Sequence, residues 1–222
     1  MSRALLCVVL DAKALGDAPA ARARAIFDAG ADWIQLRDRA VPTLRLFEVA
    51  RALVEARDGA SAGGADPCRR RVIVNRRGDV ARAAGADGVH LGFDALSPGG
   101  TRRVLGAGRA EASQVGRSLH APEEVALAAH EDGLDYVHLA PIWDPISKPA
   151  SRPPLGPAGL EAACRHGVPV FAQGGIDAER AARAIGAGAV GVALTGAVAG
   201  AKDPAEALAP IRAALDLVAA KV

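Results

Sequence analysis

The sequence predicts an α/β protein whose strands and helices alternate eight times and close into a single barrel over residues 1–222. Two observations carry this prediction. An eight-residue pattern recurs four times, and each copy follows an alanine-rich stretch that is typical of a helix. A further short run of β-branched and apolar residues lies between consecutive copies, as expected for a second strand in each interval.

Each copy of the pattern begins with a glycine suited to end a helix and then enters a short strand. The copies span 30–37, 85–92, 133–140 and 188–195. A strand and its helix need about 25–30 residues, so the spacing of roughly 50 leaves room for two such units. The remaining strands are predicted at 4–10, 71–75, 113–116 and 168–172. Parallel strands with right-handed crossovers also fit an open doubly wound sheet, but four matching copies favour the closed (β/α)8 barrel, or TIM barrel.

Composition excludes several classes of protein. With 50% hydrophobic and 23% charged residues, the chain is typical of a globular protein and not of a disordered one. Aromatic residues make up 3% and the net charge is +2, so no nucleic-acid partner is expected. Three cysteines without a C-x-x-C motif indicate neither a disulfide framework nor a zinc site. The apolar run near the start is too short to span a membrane, and we expect a cytoplasmic protein.

Alternation along the strands predicts which side chains enter the barrel. The apolar positions of the copies, such as Ile34 and Leu36, would face the helices, and the alternate positions would face the interior. Those interior positions hold Gln35, His90 and His138, and polar groups are costly to bury there unless they bind something. For the two histidines, a structural role in the core is an equally good interpretation.

Candidate site residues follow the strands, at the rim where barrels of this kind carry their chemistry. Arginines beside acids or amides suit a phosphate or diphosphate, and glycine-rich loops after strands 7 and 8 suit a second phosphate. His120 lies in a strand-to-helix loop, where it would serve either as an acid–base or as a helix cap. A proline-rich loop carrying Ser147 and Lys148 would act as a lid or would be an ordinary surface loop. The candidate binding residues are Gln35, Arg37, Arg39, Asn75, Arg76, Ser118, Ser147, Lys148, Gly174, Gly175, Thr195 and Gly196.

Eight stretches in this order resemble the thiamine phosphate synthase and TenI family, over nearly the whole chain. They are 34–39, 72–75, 85–92, 116–120, 135–136, 141–148, 155–156 and 172–176. The resemblance implies the same (β/α)8 barrel and a synthase that joins a hydroxymethylpyrimidine diphosphate to a thiazole phosphate, releasing pyrophosphate. An aminothiazole tautomerase of the TenI branch and a non-catalytic binder of the thiazole phosphate or thiamine phosphate are the alternatives.

By this resemblance Gln35 contacts the pyrimidine, and Arg37 and Arg39 hold the diphosphate. Lys148 is the lid lysine, and the thiazole phosphate binds near the glycines after strands 7 and 8. The resemblance implies catalytic roles for Arg37, His120 and Lys148. No membrane partner is expected, and a homo-oligomer is compatible with the family.

The chain departs from the family pattern where magnesium is held. Of the two usual aspartates, the first is Arg76 here and the second is Ala95. Asp94, one place away, is the remaining candidate ligand, because Asp38 is expected to pair with the arginines on either side of it. The resemblance therefore implies Mg²⁺, but both usual ligands are absent, so the reaction would run with little magnesium or none. The lid threonines of the family are replaced by Pro145 and Ser147, and the serine after strand 8 by Gly196.

Overall fold

Neighbouring strands of the chain pair in parallel until the eighth strand returns to the first, in a computed structural model that describes residues 3–59, 67–106, 108–144 and 152–219. The predicted closed (β/α)8 barrel is confirmed. Within these residues the strands are β1 Leu5–Leu10, β2 Trp33–Leu36, β3 Arg71–Asn75, β4 Gly88–Leu91, β5 Gln114–Leu119, β6 Tyr136–Leu139, β7 Val170–Gln173 and β8 Gly191–Leu194.

Helices follow the strands and pack around the outside of the barrel. A short 3₁₀ turn at Pro67–Arg69 precedes β3. The described α-helices are α1 Ala12–Leu15, α2 Pro19–Asp28, α3 Thr43–Gly59, α4 Gly78–Ala84, α5 Pro98–Leu105, α6 Pro122–Ala128, α7 Gly156–Cys164, α8 Ala178–Gly186, α9 Gly196–Ala199 and α10 Pro204–Ala219. None of the described helices is long and apolar enough to cross a membrane.

Strand β5 is longer than the sequence predicts. The prediction ended it at Gly116, but Arg117, Ser118 and Leu119 continue to pair with β6. A glycine weakens a strand without stopping it when a neighbouring strand supplies the pairing. Ser118 therefore lies within the strand and not in the loop after it.

The glycine that opens each repeat takes a backbone conformation that other residues rarely adopt. Gly30, Gly85, Gly133 and Gly188 have φ values of 99°, 78°, 85° and 96°. At three of them the following residue donates its N–H to a carbonyl five residues back, which is the hydrogen bond of a Schellman motif. The predicted helix-ending role of these glycines is confirmed there by Ala31 to Ile26, Ala86 to Ala81 and Ala189 to Ala184.

The aspartate in three of the four repeats clamps the amino end of a strand pair. Its carboxylate accepts the N–H of the facing residue in the preceding strand and pairs with an arginine from outside the barrel. The clamps are Asp32 with Leu6 N (2.8 Å) and Arg212 (3.3 Å), Asp87 with Val72 N (2.7 Å) and Arg57 (2.5 Å), and Asp135 with Val115 N (2.6 Å) and Arg102 (2.6 Å). The fourth repeat has Val190 at this position. This chemistry lies at the end of the barrel opposite the candidate site, so it serves stability.

Two separate apolar clusters follow the predicted alternation. Ile34, Leu36 and the matching residues of the other repeats belong to the large cluster between the strands and the helices. The smaller cluster fills the inside of the barrel and contains Cys7, Val9, Trp33, Ile73, Tyr136, Phe171 and Ala193. The interior is therefore a packed floor beneath the carboxyl ends of the strands and not an open channel.

Candidate active site

An aromatic layer closes the bottom of the candidate site. The rings of Trp33 and Tyr136 meet edge to face with centroids 4.9 Å apart, and Phe171 lies 5.0 Å from Trp33. Gly116 makes room for Tyr136, because a Cβ added to Gly116 would lie 2.1 Å from the tyrosine ring. Since this layer is buried and tightly packed, it holds the polar residues above it in fixed positions.

A polar layer lies on these rings, one strand position nearer the rim. Gln35 donates to Asn75 Oδ1 at 3.3 Å, and His90 lies 2.8 Å from Ser118 Oγ and 3.2 Å from Tyr136 OH. On the opposite side, Gln173 Nε2 donates to Thr195 Oγ1 at 3.4 Å. The structure thus brings the predicted interior residues to one level of the barrel, where this belt of side chains consists of separate hydrogen-bonded groups.

The two interior histidines are held neutral by their surroundings. Burial lowers the pKa of His138 to about 3, and burial together with His138 and Arg37 holds the pKa of His90 well below its usual range. Their rings are 4.3 Å apart at the centroids, so charging one would also disfavour charging the other. Both imidazoles therefore act as neutral hydrogen-bonding groups near neutral pH.

These lowered pKa values predict how stability depends on acidity. An unfolded histidine binds a proton near pH 6.5, whereas the folded barrel keeps both imidazoles neutral, so acid favours the unfolded chain. Between pH 6.5 and about 4 we expect the free energy of unfolding to fall by about 1.4 kcal/mol per pH unit through His138, with a further fall through His90. Urea unfolding of His138→Gln at pH 7, 6 and 5 should show a shallower loss. The exposed His166→Gln is the control, and a wild-type slope in His138→Gln would contradict the assignment.

Arg37 and Arg39 form a positively charged edge just beyond β2. Burial lowers the pKa of the Arg37 guanidinium, and the charge of Arg39 lowers it further. No described carboxylate forms an ion pair with either side chain. Two guanidinium groups that repel each other in this way are suited to a shared anion.

Asp38, between these arginines, is not paired with them, which corrects the expectation from the sequence. It accepts the N–H groups of Ala12 (3.1 Å), Ala40 (2.8 Å) and Val41 (3.1 Å). Although partial burial raises its pKa, these backbone hydrogen bonds outweigh that effect and lower the pKa overall. The carboxylate fixes the loop after β2, and the arginines keep their charge for other partners.

Arg76 and Asp94 are joined at the ends of β3 and β4. Arg76 Nη2 lies 2.9 Å from Asp94 Oδ2, and Nη1 bonds the other carboxylate oxygen. This hydrogen bond lowers the pKa of Asp94. Both carboxylate oxygens of Asp94 are therefore already bound by Arg76, which disfavours the interpretation of Asp94 as a metal ligand.

The described residues do not fit a resident magnesium ion. They contain no group of three or more histidine, cysteine, aspartate or glutamate side chains that could hold a metal. Asp94 is engaged by a cation, and Asp38 is engaged by backbone N–H groups. Magnesium prefers several oxygen ligands, including one or two free carboxylates, which this rim does not offer.

His120 follows β5 at the rim, with one ring nitrogen fixed. Its Nδ1 donates to the carbonyl of Ala140 at 2.6 Å, and its backbone N–H donates to Glu124 at 2.6 Å. Because a carbonyl only accepts, Nδ1 carries the proton and Nε2 is the basic nitrogen. Here the side chain bonds the end of β6, so it does not cap α6.

The loops after β7 and β8 carry the predicted glycines. Gly174 and Gly175 have φ values of 99° and 62°, and no described carbonyl accepts their N–H groups. Gly175 also packs against the segment after β6, since a Cβ there would lie 2.3 Å from the Asp144 carbonyl oxygen. Gly196 begins α9 directly after Thr195. N–H groups with no described acceptor in the loop after β7 suit an anion, but a side chain at Gly175 would also disrupt the packing.

Several expectations concern residues outside the described ranges. Ser147, Lys148 and Pro145 lie between 144 and 152, so the interpretation of this loop as a lid stays a prediction.

Two residues of the belt are absent from the candidates named from the sequence. Gln173 and Tyr136 both occupy inward positions, and both hydrogen-bond to other members of the belt. The alternation that identified Gln35 and His90 applies equally to β6 and β7 and would have found them.

Comparisons with known proteins agree with this geometry. A family model described as thiamine monophosphate synthase matches residues 6–198. The thiamine-phosphate synthase of Anaeromyxobacter dehalogenans is 40% identical over 202 residues, which cover 90% of this chain and 85% of that protein. That of Methanoculleus marisnigri is 41% identical over 184 residues, covering 82% and 81%. The structure of a thiamine phosphate pyrophosphorylase from Pyrococcus furiosus superposes with a TM-score of 0.78 at 26% identity, over 96% of both chains.

The fold and the rim define a (β/α)8-barrel protein with its polar, arginine-edged site at the carboxyl ends of the strands. Within that class, the matched residues extend from β1 into α9 and include every strand. The chain belongs to the thiamine monophosphate synthase family.

Proposed function

We propose that this protein is a transferase of thiamine biosynthesis, a thiamine-phosphate synthase. It would join the methylene carbon of hydroxymethylpyrimidine diphosphate to the ring nitrogen of a thiazole phosphate and release pyrophosphate. The observation that carries the proposal is the pair of anion-binding edges on one barrel mouth. Guanidinium groups follow β2 and β3 on one side, and N–H groups without an acceptor among the described residues follow β7 on the other.

The two edges differ in the way that the two substrates require. A departing diphosphate gains negative charge in the transition state, and the guanidinium groups of Arg37 and Arg39 offer positive charge that stabilises it. A phosphate that only anchors the thiazole gains no charge during the reaction. The neutral N–H groups of Gly174 and Gly175 are therefore sufficient to bind it. This asymmetry favours a transfer between two phosphorylated substrates over binding of one of them.

The belt between the edges would hold the pyrimidine. Gln35 and Asn75 present amide groups beside the arginine edge, and amides match the alternating donors and acceptors of an aminopyrimidine. Both are buried and locked to each other, so they orient a ring at little cost in conformational entropy. In this proposal Arg37 is catalytic, while Gln35, Arg39, Asn75 and Ser118 bind substrate. The lid residues Ser147 and Lys148 stay in it as binding and catalytic candidates.

A direct assay tests the proposal. The purified protein is supplied with both substrates, and thiamine phosphate and pyrophosphate are measured with and without added Mg²⁺. We expect equimolar formation of the two products. If both substrates bind but neither product forms, the protein is a binder and the proposed transfer is wrong.

A thiazole tautomerase is the second candidate, and the fixed ring of His120 favours it. With Nδ1 bonded to the Ala140 carbonyl, Nε2 is the ring nitrogen that can take and return a proton. Such an enzyme would need the glycine edge but not the arginine edge. Incubating the protein with the aminothiazole phosphate alone distinguishes the two activities, since only a tautomerase turns it over.

The described thiols of Cys7 and Cys164 form no disulfide, which supports a pathway in a reducing compartment. We propose the cytoplasm as the site of action, where thiols stay reduced.

A further inference from the structure

The backbone at Arg76 is unusual for a residue with a side chain. Its φ is 67°, and among the described residues it is the one non-glycine residue with a positive φ. The conformation is held by its own N–H to the His90 carbonyl (2.8 Å) and by Arg77 N–H to the Asn75 carbonyl (2.8 Å). A glycine would adopt it without strain, so an arginine here suggests that its side chain has a use at this point.

The side chain of Arg76 reaches over the end of β4. A Cβ added to Gly92 would lie 3.9 Å from Arg76 Nη1 and 3.7 Å from Asp94 Oδ1. The Arg76–Asp94 ion pair therefore lies next to the residue that follows β4. The positive charge of Arg39 contributes to the lowered pKa of Asp94, and that of Arg37 contributes to the lowered pKa of His90 in the belt. Three guanidinium groups therefore gather over β2, β3 and β4, with Asp94 as the carboxylate that partly balances them.

Asp94 is well placed to give way to a stronger anion. Its side chain is 64% exposed and that of Arg76 is 32% exposed, and ion pairs of such exposure contribute little stability. A diphosphate offers more charge and more oxygens to the same guanidinium groups. Asp94 is therefore suited to release Arg76 when an anionic ligand binds, and it is not a structural clamp like Asp32.

We propose that Arg76, together with Arg37 and Arg39, binds the leaving diphosphate directly and takes the place of a divalent cation there. This inference rests on the proposed function. The bond between the pyrimidine methylene carbon and the diphosphate oxygen breaks, and its electron pair leaves with the diphosphate. The lone pair of the thiazole nitrogen forms the new bond, which leaves a thiazolium and needs no proton transfer. Arg76 meets the charge that develops on the leaving oxygen.

The same geometry disfavours a metal ion at this place. A cation bridging the diphosphate and Asp94 would have to displace the guanidinium and then remain beside it, where like charges repel. The neighbouring Asp38 is already committed to the backbone of its own loop. The rim thus supplies positive charge from side chains where it lacks the carboxylates to hold a metal.

Pyrophosphate binding tests the inference without turnover. Calorimetric titration of the chelator-treated protein with sodium pyrophosphate, with and without Mg²⁺, gives the dissociation constant in each condition. We expect binding without metal, and a change of less than about threefold when Mg²⁺ is added. Binding that appears only with Mg²⁺ would overturn the proposal.

Two variants assign that binding to Arg76. Arg76→Gly removes the guanidinium but suits the left-handed backbone, and we expect pyrophosphate binding about 10–100-fold weaker, the range for one strong charged contact. Asp94→Asn removes the competing carboxylate, and it should bind pyrophosphate several-fold more tightly. The matched control is Arg77→Gln, the adjacent arginine, whose guanidinium hydrogen-bonds to Asp79 and Thr43 and not to Asp94. Wild-type affinity in Arg76→Gly would overturn the proposal.

Turnover separates this inference from the proposed function. Synthesis of thiamine phosphate in chelator, lost in Arg76→Gly, supports both. Synthesis that strictly requires Mg²⁺ overturns the role of Arg76 but keeps the transferase. Metal-free pyrophosphate binding through Arg76, with no synthesis in any condition, keeps the anion site and overturns the transferase.

Discussion

Replacing Arg37 with alanine is expected to lower kcat for thiamine phosphate synthesis by about 10²–10³-fold, the usual effect of removing one donor that stabilises developing charge. Arg37 lies at the end of β2, and Arg39 already disfavours its charge, so an arriving diphosphate relieves a repulsion. Steady-state rates of pyrophosphate release measure the effect. The exposed Arg45→Ala on α3, which removes a surface pair with Glu48, serves as the control for loss of a positive charge.

The same variant divides the two candidate activities. If the protein tautomerises a thiazole phosphate, Arg37→Ala should leave that reaction within a few-fold of wild type, because no diphosphate takes part. His120→Ala should have the opposite pattern, since it removes the one base with a fixed tautomer described at the rim. Equal loss of one activity in both variants would mean that the two roles are wrongly divided.

Replacing Asp32 with alanine is expected to lower the free energy of unfolding by about 3–5 kcal/mol, because it strips one partner from a buried ion pair. Asp32 is fully buried, and its carboxylate serves both the N–H of Leu6 and the guanidinium of Arg212. Without it, both donors stay buried with fewer acceptors. Urea unfolding at pH 7 measures the change.

The other two clamps provide graded controls for that experiment. The side chains of Asp87 and Asp135 are 22% and 31% exposed, so water can replace part of what their carboxylates supply. Asp135→Ala should therefore cost less than Asp32→Ala, with Asp87→Ala between them. An equal loss in all three variants would show that burial does not set the strength of the clamp.

Much of the fold could be predicted because one local pattern repeats. Each copy combines a glycine suited to end a helix with an alternation that separates the two cores. These are short-range features, so they can be predicted directly from the sequence. Even so, the end of β5 was wrong, because pairing with β6 outweighs the local preference of Gly116.

The candidate site was predicted less completely because its contacts join distant strands. The carboxylate of Asp38 was expected to pair with its arginine neighbours, but it turns to the N–H of Ala12 across the loop. The pair of Arg76 with Asp94 depends on a left-handed backbone that an arginine gives no reason to expect. Gln173, by contrast, follows the inward alternation of β7 two residues after Phe171, so its place in the belt is predictable.

The valine that replaces the clamp in the fourth repeat leaves the amino end of the β7–β8 pair less firmly held than those of the three clamped pairs. In the other three quarters a carboxylate holds the first amides of Leu6, Val72 and Val115, while the equivalent amide of Val170 faces Val190. Native-state hydrogen exchange should therefore find Val170 the least protected of the four. This weak point lies at the end of the barrel opposite the arginine edge and the glycine loops, so we expect local exchange there without disturbance of the site.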